Sequence, residues 1–121
     1  MARICLLDDD EVSLAVIAAQ LRAEGHTVLE RSEAIGTSAW VLAHNPDVLV
    51  TDLAMPALRG ERVIELLSSR VSLRTRFIVI SVSEPADLER LLGVPRVIGF
   101  VRKGPGNTGA AIHRLLAAAR P

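Results

Sequence analysis

Residues 4–10 read Ile-Cys-Leu-Leu-Asp-Asp-Asp, an uninterrupted apolar run that stops at three carboxylates. A short, continuous apolar run predicts a strand that is covered on both faces, as in a parallel sheet. The next residues place apolar side chains at helical spacing from Leu14 to Leu21, and Gly25 predicts the end of that helix. The start of the chain therefore predicts a buried strand followed by an amphipathic helix.

The same pattern of strand and helix repeats along the rest of the sequence. The further predicted strands are 27–29, 48–51, 77–80 and 97–101, and the further predicted helices are about 37–44, 60–69, 86–92 and 108–119. Regular alternation of the two elements predicts an α/β protein with a parallel sheet and right-handed crossovers. A length of 121 residues, without a linker or a repeat, predicts one domain over residues 1–121.

The composition argues against several functional classes. Lys and Arg number 14 and Asp and Glu number 14, and this balance argues against direct binding of nucleic acid. Cys5 is the single cysteine, which excludes an internal disulfide and agrees with a reducing compartment. No apolar run approaches the roughly 18 residues of a membrane span, and the N-terminus lacks a signal-peptide layout. We therefore expect a cytoplasmic protein without a membrane segment.

Polar residues follow four of the five predicted strands. Asp8 and Asp9 follow the first strand, Asp52 the third, Ser81 the fourth, and Lys103 comes shortly after the fifth. Ligands of parallel α/β sheets bind beyond the carboxyl ends of the strands, where these residues are expected to meet. The sequence therefore predicts one site built from distant parts of the chain.

The residue types at this predicted site fit phosphoryl transfer. Carboxylates that lie close together repel one another unless a cation is present, and Mg²⁺ suits a site with few carboxylates and several waters. Lys103 adds a compact positive charge and is the only lysine, whereas the other cationic side chains are all Arg. Ser81 adds a hydroxyl donor. In such a site Asp52 is the expected nucleophile.

Taken singly, the polar residues also have purely structural interpretations. An Asp at a strand end is often a turn former or a helix N-cap, and Asp10 and Ser13 are expected to be such capping residues. A lone Ser after a strand is commonly a turn residue, and a lone Lys is commonly solvated. His26, His44 and His113 lack metal-ligand spacing and receive no role. The predicted site therefore depends on its members occurring together.

Residues 104–109 spell G-x-G-x-x-G between a predicted strand and a predicted helix. The dinucleotide-binding fingerprint has this spacing, but it belongs to the first βαβ unit and requires an acidic residue about 20 positions later. Here the motif lies in the last unit of the sequence. We therefore interpret it as a flexible loop.

The sequence resembles the receiver domains of two-component response regulators over essentially its whole length. The resemblance rests on residues 6–10, 46–56 with Gly60, 78–81 and 99–103. The segment 46–56, Pro-Asp-Val-Leu-Val-Thr-Asp-Leu-Ala-Met-Pro, is highly specific. The resemblance implies a (βα)5, doubly wound, flavodoxin-like fold whose parallel five-stranded sheet has the order 2-1-3-4-5.

The resemblance also implies a metal site and a phosphoacceptor. Asp52 would accept a phosphoryl group from the phosphohistidine of a sensor histidine kinase or a phosphotransfer protein. Mg²⁺ would be bound directly by Asp9, mainly through water by Asp8, and further by Asp52 and the backbone carbonyl of Ala54.

A conformational switch follows from the same resemblance. Ser81 would hydrogen-bond the phosphoryl group, Lys103 would pair with it, and Phe100 would turn inward when Ser81 moves. A downstream effector protein or an output domain would recognise and bind the changed surface. Such a protein is a signalling phosphoacceptor that assists its own phosphorylation and dephosphorylation, and it is not an enzyme in the usual sense.

The sequence departs from the family pattern at three places, and two alternatives stay open, the first of them because of Gly104 and Val82. Gly104, with Pro105 after it, stands where Pro usually follows the lysine; Val82 replaces a small residue; and residues 93–96 replace a common acidic turn. A degenerate receiver that only binds partners is the first alternative. The second is a phosphatase of the haloacid dehalogenase type, with Asp8 as nucleophile and Asp10 as acid/base; it leaves residues 52–56 unexplained.

Overall fold

The computed structural model describes residues 1–54 and 74–119. The predicted third helix, 60–69, lies outside these residues. The described strands are β1 (Arg3–Leu7), β2 (Thr27–Arg31), β3 (Val48–Asp52), β4 (Arg76–Ser81) and β5 (Val97–Arg102). The described helices, numbered here in their own order, are α1 (Glu11–Ala23), α2 (Thr37–His44), α3 (Leu88–Leu92) and α4 (Thr108–Ala118).

The five strands form one parallel sheet in the order β2-β1-β3-β4-β5. The predicted fold class and strand order are therefore confirmed. The chain moves from β1 to β2 on one side and then crosses to β3 on the other side of β1. At such a switch point the connections leave the sheet in opposite directions and open a crevice at the carboxyl ends of the strands.

Apolar side chains alternate between the two faces of the sheet and form a core on each face. Ile4 and Leu6 belong to the first cluster, which α1 and α4 cover, and Cys5 and Leu7 belong to the second, which α2 covers through Val41. Because both faces are covered, the central strands are apolar at nearly every position. None of the helices in the described part of the chain is both long enough and apolar enough to span a bilayer.

Besides shifts of one residue at the ends of other elements, three local predictions differ from the structure. β2 continues to Arg31 instead of ending at residue 29, because an edge strand tolerates polar residues such as Glu30, which pairs with Arg22. α3 begins at Leu88 instead of residue 86. Asp10 caps α1 as predicted, whereas Ser13 lies inside the first turn and donates its backbone N–H to Asp10.

Gly109 allows α1 and α4 to approach closely. Its N–H donates to Gln20 Oε1 at 2.9 Å, and a Cβ at this position would lie 2.4 Å from Gln20 Cβ. We expect Gly109→Ala to lower the free energy of unfolding by about 1–2 kcal/mol, because this overlap outweighs the helical preference of Ala. Urea unfolding measures the change.

Gly104 supplies the matched control, because a Cβ there would meet nothing within 4 Å and its φ lies outside the left-handed region. Gly104→Ala is therefore expected to change the free energy of unfolding by less than about 1 kcal/mol. A Gly109→Ala protein at least as stable as the wild type would show that the two helices are not held at this distance.

Candidate functional site

The site lies at the carboxyl edge of the sheet, where β1 and β3 run side by side. Leu7 pairs with Thr51, so the residues that follow, Asp8 and Asp52, lie next to each other. Both residues are buried, with exposed fractions of 0% and 3%. Two buried carboxylates from neighbouring strands require a compensating positive charge.

Lys103 supplies that charge. Its Nζ donates to Asp8 Oδ2 and to Asp52 Oδ2, at 2.8 Å in each case, and the side chain is only 8% exposed. The lysine comes after β5, at the same edge of the sheet as the two carboxylates. A single ammonium thus joins residues that are 95 and 51 positions away in the sequence.

Backbone groups orient the remaining carboxylate oxygens. The N–H of Asp10 donates to Asp8 Oδ1 at 3.0 Å, and the N–H of Ala54 donates to Asp52 Oδ1 at 2.9 Å. Each buried carboxylate therefore has one oxygen on the lysine and the other on the backbone. Sequence patterns did not reveal the role of the Asp10 N–H, because it depends on the turn that Asp10 makes as it caps α1.

Asp9 completes a group of three carboxylates. Asp8, Asp9 and Asp52 each offer one oxygen, and these oxygens all lie within 4.8 Å of one another. Unlike the other two, Asp9 is exposed, so the group opens to solvent on its side. A small set of hard oxygen donors with room for water fits Mg²⁺, and it does not fit the nitrogen and sulfur preferences of Zn²⁺.

The pKa values of the site follow from burial and from the contacts between Asp8, Asp52 and Lys103. The pKa of Asp8 is raised to about 6, mainly by burial and also by the nearby Asp52 carboxylate, although the hydrogen bonds from Lys103 and from the Asp10 N–H oppose this rise. Burial alone would lower the pKa of Lys103, but its contacts with Asp52 and Asp8 outweigh burial and raise it. Lys103 is therefore charged at neutral pH, and Asp8 ionises at a cost that a further cation would offset.

Ser81 and Phe100 lie on β4 and β5, the two strands that follow β3 in the sheet. Ser81 is buried at the end of β4, and its carbonyl accepts the N–H of Lys103 at 2.8 Å, which keeps the serine beside the lysine. Phe100 is half-buried on β5, pairs with Val79, and packs against the cluster that contains Cys5. Among the described residues, the structure thus brings the predicted carboxylates, hydroxyl and amine to one edge of the sheet.

Known proteins share this fold and sequence pattern. A family model described as a response regulator receiver domain matches residues 4–108. Protein PilH of Pseudomonas aeruginosa is 26% identical over 93 residues, which are 77% of this chain and 77% of PilH. The crystal structure of a response regulator from Desulfuromonas acetoxidans has a TM-score of 0.79 at 25% identity, and the match covers 99% of this chain and 100% of that one.

A further structural relative is the response regulator TrrA of Thermotoga maritima, crystallised in complex with Mg²⁺-BeF. It has a TM-score of 0.78 at 18% identity over 95% of this chain and 99% of its own, and at this identity it supports the fold alone. The family model, by contrast, covers most of the chain and includes Asp8, Asp52 and Lys103. The chain therefore belongs to the family of response regulator receiver domains.

Proposed function

We propose that Asp52 accepts a phosphoryl group in a Mg²⁺-dependent reaction, and that this modification changes the surface that a downstream partner reads. The observation that carries the proposal is the position of Lys103 Nζ, 2.8 Å from both Asp8 and Asp52. An ammonium between two buried carboxylates stabilises negative charge where a phosphoryl group would arrive.

The transfer itself requires one nucleophile. A carboxylate oxygen of Asp52 would attack the phosphorus of a phosphohistidine, so that an O–P bond forms while the P–N bond breaks and the imidazole leaves. Lys103 would pair with a phosphoryl oxygen, and Ser81 would donate its hydroxyl hydrogen to another. The donor would be a sensor histidine kinase or a phosphotransfer protein, in the cytoplasm.

The metal would be held by Asp8, Asp9 and Asp52, with the backbone carbonyl of Ala54 as a further ligand. When bound, Mg²⁺ would neutralise charge on the carboxylate and phosphoryl oxygens during transfer. The group of three carboxylates supports this assignment, because its oxygens are close enough to share one ion and Asp9 leaves one side open to solvent.

The response to phosphorylation would pass through Ser81 and Phe100. Movement of the Ser81 hydroxyl toward the phosphoryl group would leave space that the half-buried Phe100 ring can enter from β5. A local change of charge would thus alter the surface next to β5. An effector protein or an output domain that binds this surface would detect the phosphorylated state.

Binding of Mg²⁺ is expected to stabilise the folded protein. At a free concentration about 100 times the Kd, the free energy of unfolding should rise by about 2.7 kcal/mol. Asp9→Asn removes one ligand and is expected to abolish most of this gain, because the ion loses an anionic oxygen. Urea unfolding with Mg²⁺ or with EDTA measures the effect.

Asp10→Asn is the matched control for the neighbouring position. Asp10 caps α1 and contributes only its N–H to the site, and Asn is an equally good N-cap. This variant is expected to keep most of the stabilisation by Mg²⁺. Equal losses in the two variants would show that general negative charge at residues 8–10, and no specific ligand, attracts the ion.

Acetyl phosphate provides the test of function. We expect the wild-type protein to gain the mass of one phosphoryl group with Mg²⁺ and to remain unmodified with EDTA. Absence of any adduct would indicate a degenerate receiver that only binds partners. Turnover of a generic phosphatase substrate that requires Asp8 and Asp10, and that survives Asp52→Asn, would indicate a phosphatase.

A further inference from the structure

A pair of histidines lies at the edge of the sheet opposite to the carboxylates. His26 Nε2 and His113 Nδ1 are 2.8 Å apart, and the ring centroids are 5.0 Å apart. His26 belongs to the turn between α1 and β2, and His113 lies on α4, 87 positions away. Sequence analysis assigned neither residue a role, and the proposed phosphoacceptor site does not use them.

The backbone of Ala2 fixes which nitrogens carry hydrogen. The Ala2 N–H donates to His26 Nδ1 at 2.9 Å, so this nitrogen is an acceptor. A neutral His26 then carries its hydrogen on Nε2 and donates it to His113 Nδ1. His113 therefore carries its own hydrogen on Nε2. One chain of hydrogen bonds thus joins the segment before β1, the turn before β2, and α4.

This chain of hydrogen bonds has no place for an additional proton. A proton on His26 Nδ1 would face the Ala2 N–H, and a proton on His113 Nδ1 would face the hydrogen on His26 Nε2. In either case two donors oppose each other, so protonation breaks one of the two hydrogen bonds. The same restriction disfavours a metal ion between the rings, because Nε2 of His26 is not free to act as a ligand.

The surroundings do not compensate for a positive charge. His26 is 7% exposed, and burial lowers its pKa, with the charge of His113 and the N-terminal amine acting in the same direction. Glu24, in the preceding turn, acts in the opposite direction. In residues 1–54 and 74–119, no carboxylate forms an ion pair with either ring.

The cavity beside the rings contains two further charged groups. Asp47 and Arg76 line it from the starts of β3 and β4. The Asp47 carboxylate accepts the Arg3 N–H at 2.8 Å and pairs with Arg74 at 3.4 Å, and Arg76 donates to the Ala119 carbonyl at 3.1 Å. The Asp47 carboxylate is therefore engaged elsewhere and supplies no counter-ion to a protonated histidine, and Arg76, itself a cation, disfavours a second positive charge.

We propose that His26 and His113 form a proton-sensitive clasp that holds α4 against the N-terminal edge of the sheet at neutral pH and releases it on acidification. The direction of the pH dependence follows from the linkage between proton binding and folding. Folded His26 binds a proton less readily than the same residue in the unfolded chain, where a histidine has a pKa near 6.5. The stabilisation is therefore complete above about pH 6.5 and is lost as the pH falls below it. This inference does not depend on the phosphoacceptor role.

Nuclear magnetic resonance of the wild-type protein tests the hydrogen-bond chain. Two-bond ¹H–¹⁵N correlations of the rings are expected to show His26 with hydrogen on Nε2 at neutral pH and a protonation midpoint below about 6.5. A His26 with hydrogen on Nδ1, or with a midpoint at or above that value, would overturn the proposal. This test needs no variant and so does not depend on the folding of one.

Unfolding equilibria at different pH values test the effect on stability. The clasp is expected to contribute about a tenfold rise in the wild-type unfolding constant between about pH 7.5 and about pH 5.5, on top of the opposite pH dependence that Asp8, with its pKa raised to about 6, gives equally to the wild type and the variants. His26→Asn keeps an acceptor for the Ala2 N–H and leaves His113 Nδ1 free to bind a proton. This rise should therefore largely disappear in the variant. His44→Asn is the control, because His44 lies on α2 outside the clasp, and it should retain the wild-type rise. An unchanged rise in His26→Asn would contradict the proposal.

Amide hydrogen exchange locates the released element. Corrected for the intrinsic rate, exchange in α4 should accelerate on acidification more than exchange in α2, which covers the opposite face. In His26→Asn, the difference between the two helices should vanish. Equal acceleration of both helices in the wild type would indicate a general loss of stability and would contradict release of α4.

Discussion

Substitution of Asp52 by Asn is expected to abolish the phosphoryl adduct that the wild-type protein forms with acetyl phosphate and Mg²⁺. The amide has no anionic oxygen to attack phosphorus, so formation of the adduct should fall by more than about 1,000-fold. The fold should survive, because Asn keeps an acceptor for the Ala54 N–H, and Lys103 still has Asp8 as a partner. Intact mass over time measures the adduct, and circular dichroism checks the fold.

Asp47→Asn is the matched control, since Asp47 precedes the same strand at its opposite end. Its carboxylate accepts a hydrogen bond from the Arg3 N–H and forms an ion pair with Arg74. It lies far from Lys103 along β3. We expect the rate of adduct formation to stay within about threefold of the wild type. A persistent adduct in Asp52→Asn, or an equal loss in Asp47→Asn, would refute the assignment of Asp52 as nucleophile.

Replacement of Lys103 by Met is expected to impair both stability and phosphorylation. The free energy of unfolding should fall by about 2–3 kcal/mol, because Asp8 and Asp52 would remain buried without a counter-charge. The rate of adduct formation should fall about 100-fold, since no ammonium would stabilise the phosphoryl oxygens. Urea unfolding without Mg²⁺ and the time course of intact mass measure the two effects separately.

Two control variants separate charge from geometry. Lys103→Arg keeps the charge, but a planar guanidinium does not replace one nitrogen placed 2.8 Å from both carboxylates, so the rate should recover by no more than about tenfold. Arg102→Met removes the neighbouring exposed cation, which donates to the Val82 carbonyl, and should change stability by less than about 0.5 kcal/mol. A Lys103→Met protein that is phosphorylated at the wild-type rate would contradict the proposed role of the lysine.

Much of the fold could be predicted because the positions of apolar residues in the sequence indicate which faces of the strands and helices are buried. β1 and β3 are covered on both sides, and their continuous apolar runs gave their positions almost to the residue. β2 lies at the edge of the sheet, where Glu30 and Arg31 contact solvent or side chains, and its apolar run therefore ended before the strand did. The strand order came from the family resemblance and not from the pattern itself.

The candidate site could be predicted in outline because parallel strands end at a common edge. That rule brings Asp8, Asp52 and Lys103 together without any knowledge of distances. It does not show that Lys103 bridges two carboxylates or that the Asp10 N–H orients one of them, because these contacts depend on strand register and side-chain rotamers.

The histidine clasp illustrates a limit of sequence patterns. His26 and His113 meet because α1 and α4 cover the same face of the sheet, and no spacing rule relates residues in different units. The tautomers depend on the Ala2 N–H, a backbone group that carries no sequence signal. Only a structure that places all three groups could reveal the hydrogen-bond chain.

Chemical analysis of the phosphoryl adduct identifies which residue is the phosphoacceptor. Borohydride reduces an aspartyl phosphate to homoserine, and tandem mass spectrometry of the peptides then locates the modified residue. We expect homoserine at position 52 and unmodified aspartate at positions 8 and 9. Homoserine at position 8 or 9, or an adduct that yields no homoserine, would contradict phosphorylation of Asp52.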